Sequence, residues 1–337
     1  MGSSGARSIG LVVALLLLAL VGYITAGERF ASVGNLLVIL RFASVIGVVS
    51  IGMTFVITSG GIDLSVGSVL GLTSVVATLS WVQAFANETH WIVMVLVAMV
   101  AGMVVGLING LVIAYGGVVA FIATLATLVA ARGLAELLAN RTTQIVVVSE
   151  FKSALSGNLL GIPVLIWMFA VVVALGWFLL NRTTFGRRTV AIGGNLEAAR
   201  LAGINVKRHL VYVYGLAGLT AGFGGVMMLG RTTAGTSTHG TLLELDAIAA
   251  VVVGGTLLIG GRGSIMGTVL GVLLFSTLTN VFTQNNMSTS VQAIAKGVII
   301  VGAVMLQQRF ANRAPKKLAA EMKMPAATTG TAGTTKL

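Results

Sequence analysis

The sequence has no cysteine, which excludes disulfides, thiolate metal sites and cysteine nucleophiles. Charge is scarce too: 9% of the 337 residues are Asp, Glu, Lys or Arg, against about a quarter in soluble domains. A soluble fold of this length could not cover its surface with so few charges. Its three histidines, His90, His209 and His239, have no ligand spacing, so no metal site is expected. A phosphate-cradling Gly-x-x-x-x-Gly-Lys-Ser/Thr loop is absent, so the chain is expected to carry no nucleotide site of its own. What is present is apolar. Hydrophobic residues make up 56%, which excludes intrinsic disorder and leaves an all-α polytopic membrane protein.

A helix needs roughly 20 apolar residues to cross the hydrocarbon core. Residues 8–27, 42–62, 64–87, 89–131, 153–181, 209–230, 247–261 and 263–295 carry no charge. Ten spans are expected, at 8–26, 36–59, 64–84, 91–114, 118–139, 161–180, 210–230, 246–261, 264–283 and 291–308. The eighth is short, as a tilted or broken helix would be. Arg7 ahead of an apolar run resembles a secretory signal, but no clear cleavage site precedes a soluble domain, so the first span reads as a retained helix.

Ten spans put both termini on one side. With the termini inside, the inner segments hold 14 of the 21 Lys and Arg and 3 of the 9 acids; the outer segments hold 7 and 6. That division is +11 against +1, and it places both termini in the cytoplasm. The net charge of +12 therefore reads as a topology signal rather than as nucleic-acid binding. Residues 1–310 are expected to form the transmembrane domain and 311–337 a cytoplasmic tail, basic over 311–323 and low-complexity over 325–337.

Glycine is abundant, at 44 residues. Gly102, Gly106 and Gly110 recur every four residues and predict close helix packing. Gly60-Gly61 followed by Gly67-Ser-Val-Leu-Gly71 is echoed by Gly260-Gly261 followed by Gly267-Thr-Val-Leu-Gly271, which is either chance or a faint duplication.

Polar residues within the spans are few. The candidates for a translocation path or gate are Asp63, Asn109, Thr124, Thr127, Arg132 and Glu136. Arg132 and Glu136 are four apart, so they share a helix face and are expected to pair. Asp63 opens the third span, either as a helix N-cap or as a gate or partner-facing residue behind two glycines. No span carries a run of buried acids, which argues against a proton- or sodium-driven carrier.

The longest charged segment between spans, residues 181–209, carries six Lys and Arg and one acid. Within it, Asn195 is a helix N-cap candidate, Glu197 falls in the first turn, and Gly203 can end the helix in the left-handed conformation. A two-turn helix outside the membrane is expected, with Ala198, Ala199 and Ala202 as a small face suited to docking; an ordinary amphipathic connector is the alternative.

This segment resembles the coupling loop of ABC importer permeases of the ribose-type sugar class. The family's Gly-x-Asn-x-x-Ala-Ala-x-x-x-Gly-Ile pattern matches Gly193, Asn195, Ala198, Ala199, Gly203 and Ile204. GMTFVITSGGIDLSVGSVLGL at 52–72 resembles the family's other signature. Residues 106–116, 123–139 and 247–274 resemble further blocks, and the similarity runs over about 33–308. One departure is Val118-Val119 ahead of the fifth span, where relatives often have proline.

The resemblance implies a permease subunit, not an enzyme, in a bacterial inner membrane. It implies a second permease subunit, cytoplasmic ATPases that bind the ATP and Mg, and a periplasmic sugar-binding protein as partners. It also implies ATPase coupling through Gly194, Asn195, Glu197, Ala198, Ala199 and Gly203. The cargo it implies is a monosaccharide, moved by alternating access. The alternatives are a stand-alone secondary transporter of a small polar solute and a structural or receptor-like membrane subunit.

Overall fold

A computed structural model describes residues 2–299, 301, 302 and 305. The expected tail at 311–337 and the end of the expected tenth span lie outside the described residues; a helix over 289–299 covers the start of that span. The fold is all-α with two small antiparallel strand pairs. Its helices are α1 (Gly2–Ala26), α2 (Val33–Thr58), α3 (Val66–Ala77), α4 (Ser80–Glu88), α5 (Ile92–Ala114), α6 (Ala120–Leu138) and α7 (Ser149–Ser156). Next along the chain come α8 (Val164–Arg182), α9 (Thr184–Gly194), α10 (Leu196–Leu201), α11 (Val206–Thr232), α12 (Leu243–Val253) and α13 (Ile265–Gln284). Strand β1 (Gln144–Ile145) pairs with β4 (Ala234–Gly235), and β2 (Asn158–Leu159) pairs with β3 (Ile162–Pro163).

Among the described residues, seven helices are long and apolar enough to cross a membrane, and the bent pair α3–α4 makes an eighth. Two expected spans are therefore corrected. The third is not one helix over 64–84: it breaks after Ala77 and bends by 57°. Neither Gly nor Pro makes that break. The Thr78 hydroxyl donates to the carbonyls of Ser74 and Val75, at 2.8 and 3.0 Å, and the chain leaves the helical path at Leu79. The eighth, expected over 246–261, is helical only to Val253. Gly255, Gly260 and Gly261 then take positive φ, and residues 254–264 form an irregular turn.

The core centres on α3, α11 and α2 from Ala43 onward, where most residues are buried, while α1 lies at the rim against α13. The expected glycine stripe on α5 packs along α11. A Cβ on Gly102 would lie 2.9 Å from the Gly222 Cα, and one on Gly218 would lie 2.9 Å from the Gly106 Cα. The two backbones thus meet directly, and any side chain in the seam would force them apart. At the start of α6 the turn forms without proline, since Gly117 supplies a positive φ of 70° and Val119 is extended.

Candidate functional site

Three features gather at the end of the bundle where α8, α9, α10 and α11 meet. The first is α10. Asn195 is extended and its side chain accepts a 2.9 Å bond from the Ala198 N–H, as a helix N-cap does. At the other end Gly203 has φ +81°. The Gly203 N–H donates to the Arg200 carbonyl, and the Ile204 N–H reaches back to the Ala199 carbonyl. That pair of bonds is the Schellman closure expected of a left-handed glycine. Glu197 and Arg200 form a 4.0 Å pair that is largely exposed and contributes little to stability.

The expected docking face needs correction. Ala199 is 4% exposed and packs on Ile192 and Val206 of its own chain, whereas Ala198 and Ala202 face outward. Ala199 therefore roots the helix instead of greeting a partner. The exposed apolar groups are Leu196, and Leu201 at 85% exposure. Ahead of α10 stands α9, which sequence reasoning missed although Thr183 caps it by accepting from the Gly186 N–H. Three glycines and few apolar residues hid it.

The second feature is a node of three glycine pairs. Gly193-Gly194 ends α9, and it lies against Gly60-Gly61 after α2 and Gly260-Gly261 after α12. A Cβ on Gly260 would come within 2.8 Å of the Gly193 carbonyl oxygen and 2.9 Å of the Gly60 Cα; one on Gly261 would lie 2.8 Å from the Gly194 Cα. The Gly261 N–H donates to the Thr58 carbonyl at 2.9 Å. The echoed Gly-Gly pairs were the sequence signal, and the structure brings both halves of the echo together around the loop.

The third is a buried polar chain. Asp63 does not cap α3. Its Oδ1 accepts from the Ser65 N–H at 2.8 Å and from the Ser65 hydroxyl at 2.6 Å, which builds the turn before the helix. The Asn109 amide donates to the Ser65 Oγ at 3.0 Å, and the Thr127 hydroxyl donates to the Asn109 Oδ1 at 2.5 Å. Thr124 donates to the Ala120 carbonyl at 2.9 Å, with the Ile62 carbonyl at 3.4 Å. Three of the six path candidates, Asp63, Asn109 and Thr127, thus meet in one network through Ser65, and Thr124 lies beside it against the Ile62 carbonyl. Asp63 is 1% exposed, and burial raises its pKa above the ordinary carboxylate value, against the opposing pull of the bonds from Ser65.

The other two candidates lie elsewhere and do not pair. The Arg132 guanidinium donates to the Ser237 carbonyl, and to the His239 carbonyl at 2.8 Å. Among the described residues, the ion pairs are Glu197–Arg200 and Asp246–Lys296. Helical spacing permits an Arg132–Glu136 contact, but the segment at Ser237–His239 offers the guanidinium two carbonyls instead. The His239 ring approaches the Ser74 hydroxyl at 3.2 Å; burial, then Arg231 and Arg132, hold its pKa down at about 4.

The bundle, with seven described helices long and apolar enough to cross a membrane, is that of a multi-pass membrane protein. The family described as "Branched-chain amino acid transport system / permease component" matches residues 35–306, and the chain belongs to it. Its relatives handle other cargo. The ribose import permease protein RbsC of Haemophilus influenzae is 40% identical over 86% of this chain and 90% of its own. RbsC of Bacillus subtilis is 42% identical over 82% and 85%. The xylose transport system permease protein XylH of Escherichia coli is 31% identical over 93% and 95%. No solved structure matches the chain significantly.

Proposed function

We propose that the chain is the permease subunit of a bacterial ATP-binding-cassette importer, moving a ribose-like monosaccharide from periplasm to cytoplasm by alternating access. In this reading it works as a homo- or heterodimer of permeases, in the inner membrane, with both termini and α10 in the cytoplasm. Partner ATPases bind ATP and Mg, and a periplasmic sugar-binding protein delivers the cargo. The identities to ribose and xylose permeases support the sugar class.

The observation that carries the reading is α10. It is capped at both ends, exposes Leu196 and Leu201, and joins through Gly193-Gly194 to the breaks after α2 and α12. Force applied to α10 would reach two helix breaks through backbone contacts alone.

The test is Leu201→Asp in the complex reconstituted with its ATPase and binding protein. The exposed position leaves folding intact, and the new charge must be desolvated if the helix enters a groove. ATPase co-purification and binding-protein-stimulated hydrolysis should fall by about tenfold or more. Normal assembly and hydrolysis would overturn the coupling role. Gradient-driven uptake by the chain alone would favour the stand-alone transporter instead.

A further inference from the structure

We propose that the apolar furrow between α8 and α11 seats one acyl chain of an anionic phospholipid, with the headgroup held by arginines at the α10 end of the bundle. The inference goes beyond the transport reading and does not depend on which cargo is moved.

The furrow has a volume of about 460 Å³ and lies among α2, α5, α8 and α11. Helical spacing lays it out. Trp167, Val171, Leu175 and Leu179 fall on one face of α8, and Leu216, Thr220 and Phe223 fall on one face of α11, at intervals of three and four. Gly176 lies on the same α8 face and has no side chain to fill the gap. The polar groups of Trp167 and Thr220 are already satisfied. The Trp167 Nε1–H donates to the Leu159 carbonyl at 3.2 Å, and the Thr220 hydroxyl donates to the Ala217 carbonyl at 2.9 Å. The furrow therefore offers an occupant apolar contact alone.

Its dimensions select among apolar occupants. From Trp167 to Leu179 it runs about 18 Å at the helical rise, a little more than one leaflet of a hydrocarbon core roughly 30 Å thick. Spread over that length, the volume gives a cross-section of about 25 Å², roughly a quarter of that of a helix 10–12 Å across. A helix of a second copy is too wide to lie in it, whereas a single hydrocarbon chain is not.

Charge at one end sets the headgroup. Arg182 lies three residues beyond Leu179 on α8, and Arg208 lies eight before Leu216 on α11, so both continue the furrow's faces toward α10. The Arg208 Nε–H donates to the Tyr212 hydroxyl at 2.7 Å, and the Arg182 guanidinium sits 5.4 Å from the Trp177 ring centroid. Tyr and Trp in such company mark the depth of lipid headgroups. On α9, Phe185 packs on Phe55, which lines the furrow, with ring centroids 5.9 Å apart, and Arg188 follows three residues on. All three arginines are exposed, and among the described residues the ion pairs with carboxylates are those of Arg200 and Lys296. Three cations without a carboxylate, at the mouth of a furrow that accepts only an apolar chain, call for a molecule anionic at one end and apolar along the rest.

The test uses the complex reconstituted in phosphatidylcholine vesicles with one of two photoactivatable probes, a phosphatidylglycerol or a phosphatidylcholine carrying the same diazirine acyl chain. Labelled peptides are mapped by mass spectrometry. Residues 167–179 and 216–223 should take about tenfold more label from the glycerol lipid than from the choline lipid. The exposed Leu16, Leu17 and Leu20 of α1, at the rim, should take nearly equal label from both. Equal labelling of the furrow by the two lipids overturns the proposal, and so does an absence of label there, as when a second copy covers it. Arg182→Gln, Arg188→Gln and Arg208→Gln, made together, should bring the glycerol lipid down to the level of the choline lipid; a surviving preference overturns the headgroup site. Leu219→Trp, which fills the furrow from α11, should abolish labelling of 167–179 by both lipids and spare α1; undiminished label overturns the acyl-chain site.

Discussion

The two halves of the glycine echo begin alike and end differently. Before Gly60-Gly61 stands the long α2, of 26 residues, and after it the short α3, of 12. Before Gly260-Gly261 stands the short α12, of 11 residues, and after it the long α13, of 20. Both pairs take a positive φ, +87° at Gly60 and at Gly260, but Gly60 lies just past the end of α2 whereas Gly260 lies within the irregular turn that follows α12. The polar residue beyond each pair sets the path the chain takes next. In the first half Asp63 folds back on Ser65 and ties the turn into the buried network with Asn109 and Thr127. In the second, Ser264 accepts from the Gly267 N–H at 3.0 Å and launches α13 as an N-cap. Glycine punctuates; the neighbouring side chain decides whether the chain turns inward or runs on.

The sharpest break in this comparison comes from substituting matched glycines. Gly60→Ala meets nothing closer than 3.8 Å and suffers mainly the left-handed backbone, about 1 kcal/mol. Gly260→Ala carries the same φ and also drives a methyl into the Gly193 carbonyl and the Gly60 Cα, so a loss of about 3 kcal/mol is expected. Thermal unfolding in detergent should show Gly260→Ala melting well below Gly60→Ala; equal melting points would dissolve the node. Next comes the polar pair. Asp63→Ala should cost about 2 kcal/mol, because the Ser65 N–H and hydroxyl are left buried. Asp63→Asn, which keeps the acceptor, should cost less. Ser264→Ala should cost about 1 kcal/mol as a lost cap.

The last break is a pH slope on the side of α3 alone. The folded His239 has a pKa of about 4, against 6.5 in the unfolded chain. As pH falls from about 6.5 toward 4 the unfolded chain takes up the proton first, so the folded state loses stability through that window. His239→Gln should flatten the slope in melting temperature between these limits. An unchanged slope would show that the ring takes up its proton equally in the folded and the unfolded chain.

Hydropathy made most of the helices legible, because apolar length is a matter of composition. It misjudged residues 254–261, where Gly254-Gly255-Thr256-Leu-Leu-Ile-Gly-Gly is apolar enough for a span but turns on positive φ at Gly255. It also missed the Thr78 break, which a side-chain hydroxyl makes without any breaker residue. At the site, the N-cap and left-handed glycine of α10 were readable because capping is local. The inward face of Ala199 was not, since it depends on Ile192 and Val206 lying beneath. Asp63, Asn109, Thr124 and Thr127 were singled out one by one as polar residues near spans; only the fold could bring them together. Arg132 shows the reverse, where a local pairing rule lost to carbonyls more than a hundred residues away in sequence.

The α5–α11 seam has a mechanical consequence. Most sliding interfaces yield by letting side chains hop between rotamers. Glycine facing glycine has no rotamers to hop, and backbone atoms already in contact cannot be compressed further. The two helices are therefore locked backbone to backbone where Gly102 and Gly106 meet Gly218 and Gly222, and bending is left to places where the hydrogen-bond ladder is already interrupted. Those places are the kink at Thr78 and the paired-glycine stops. An added methyl along this seam, as in Gly106→Ala, would pry the two helices apart and give the bundle a joint where it now has none.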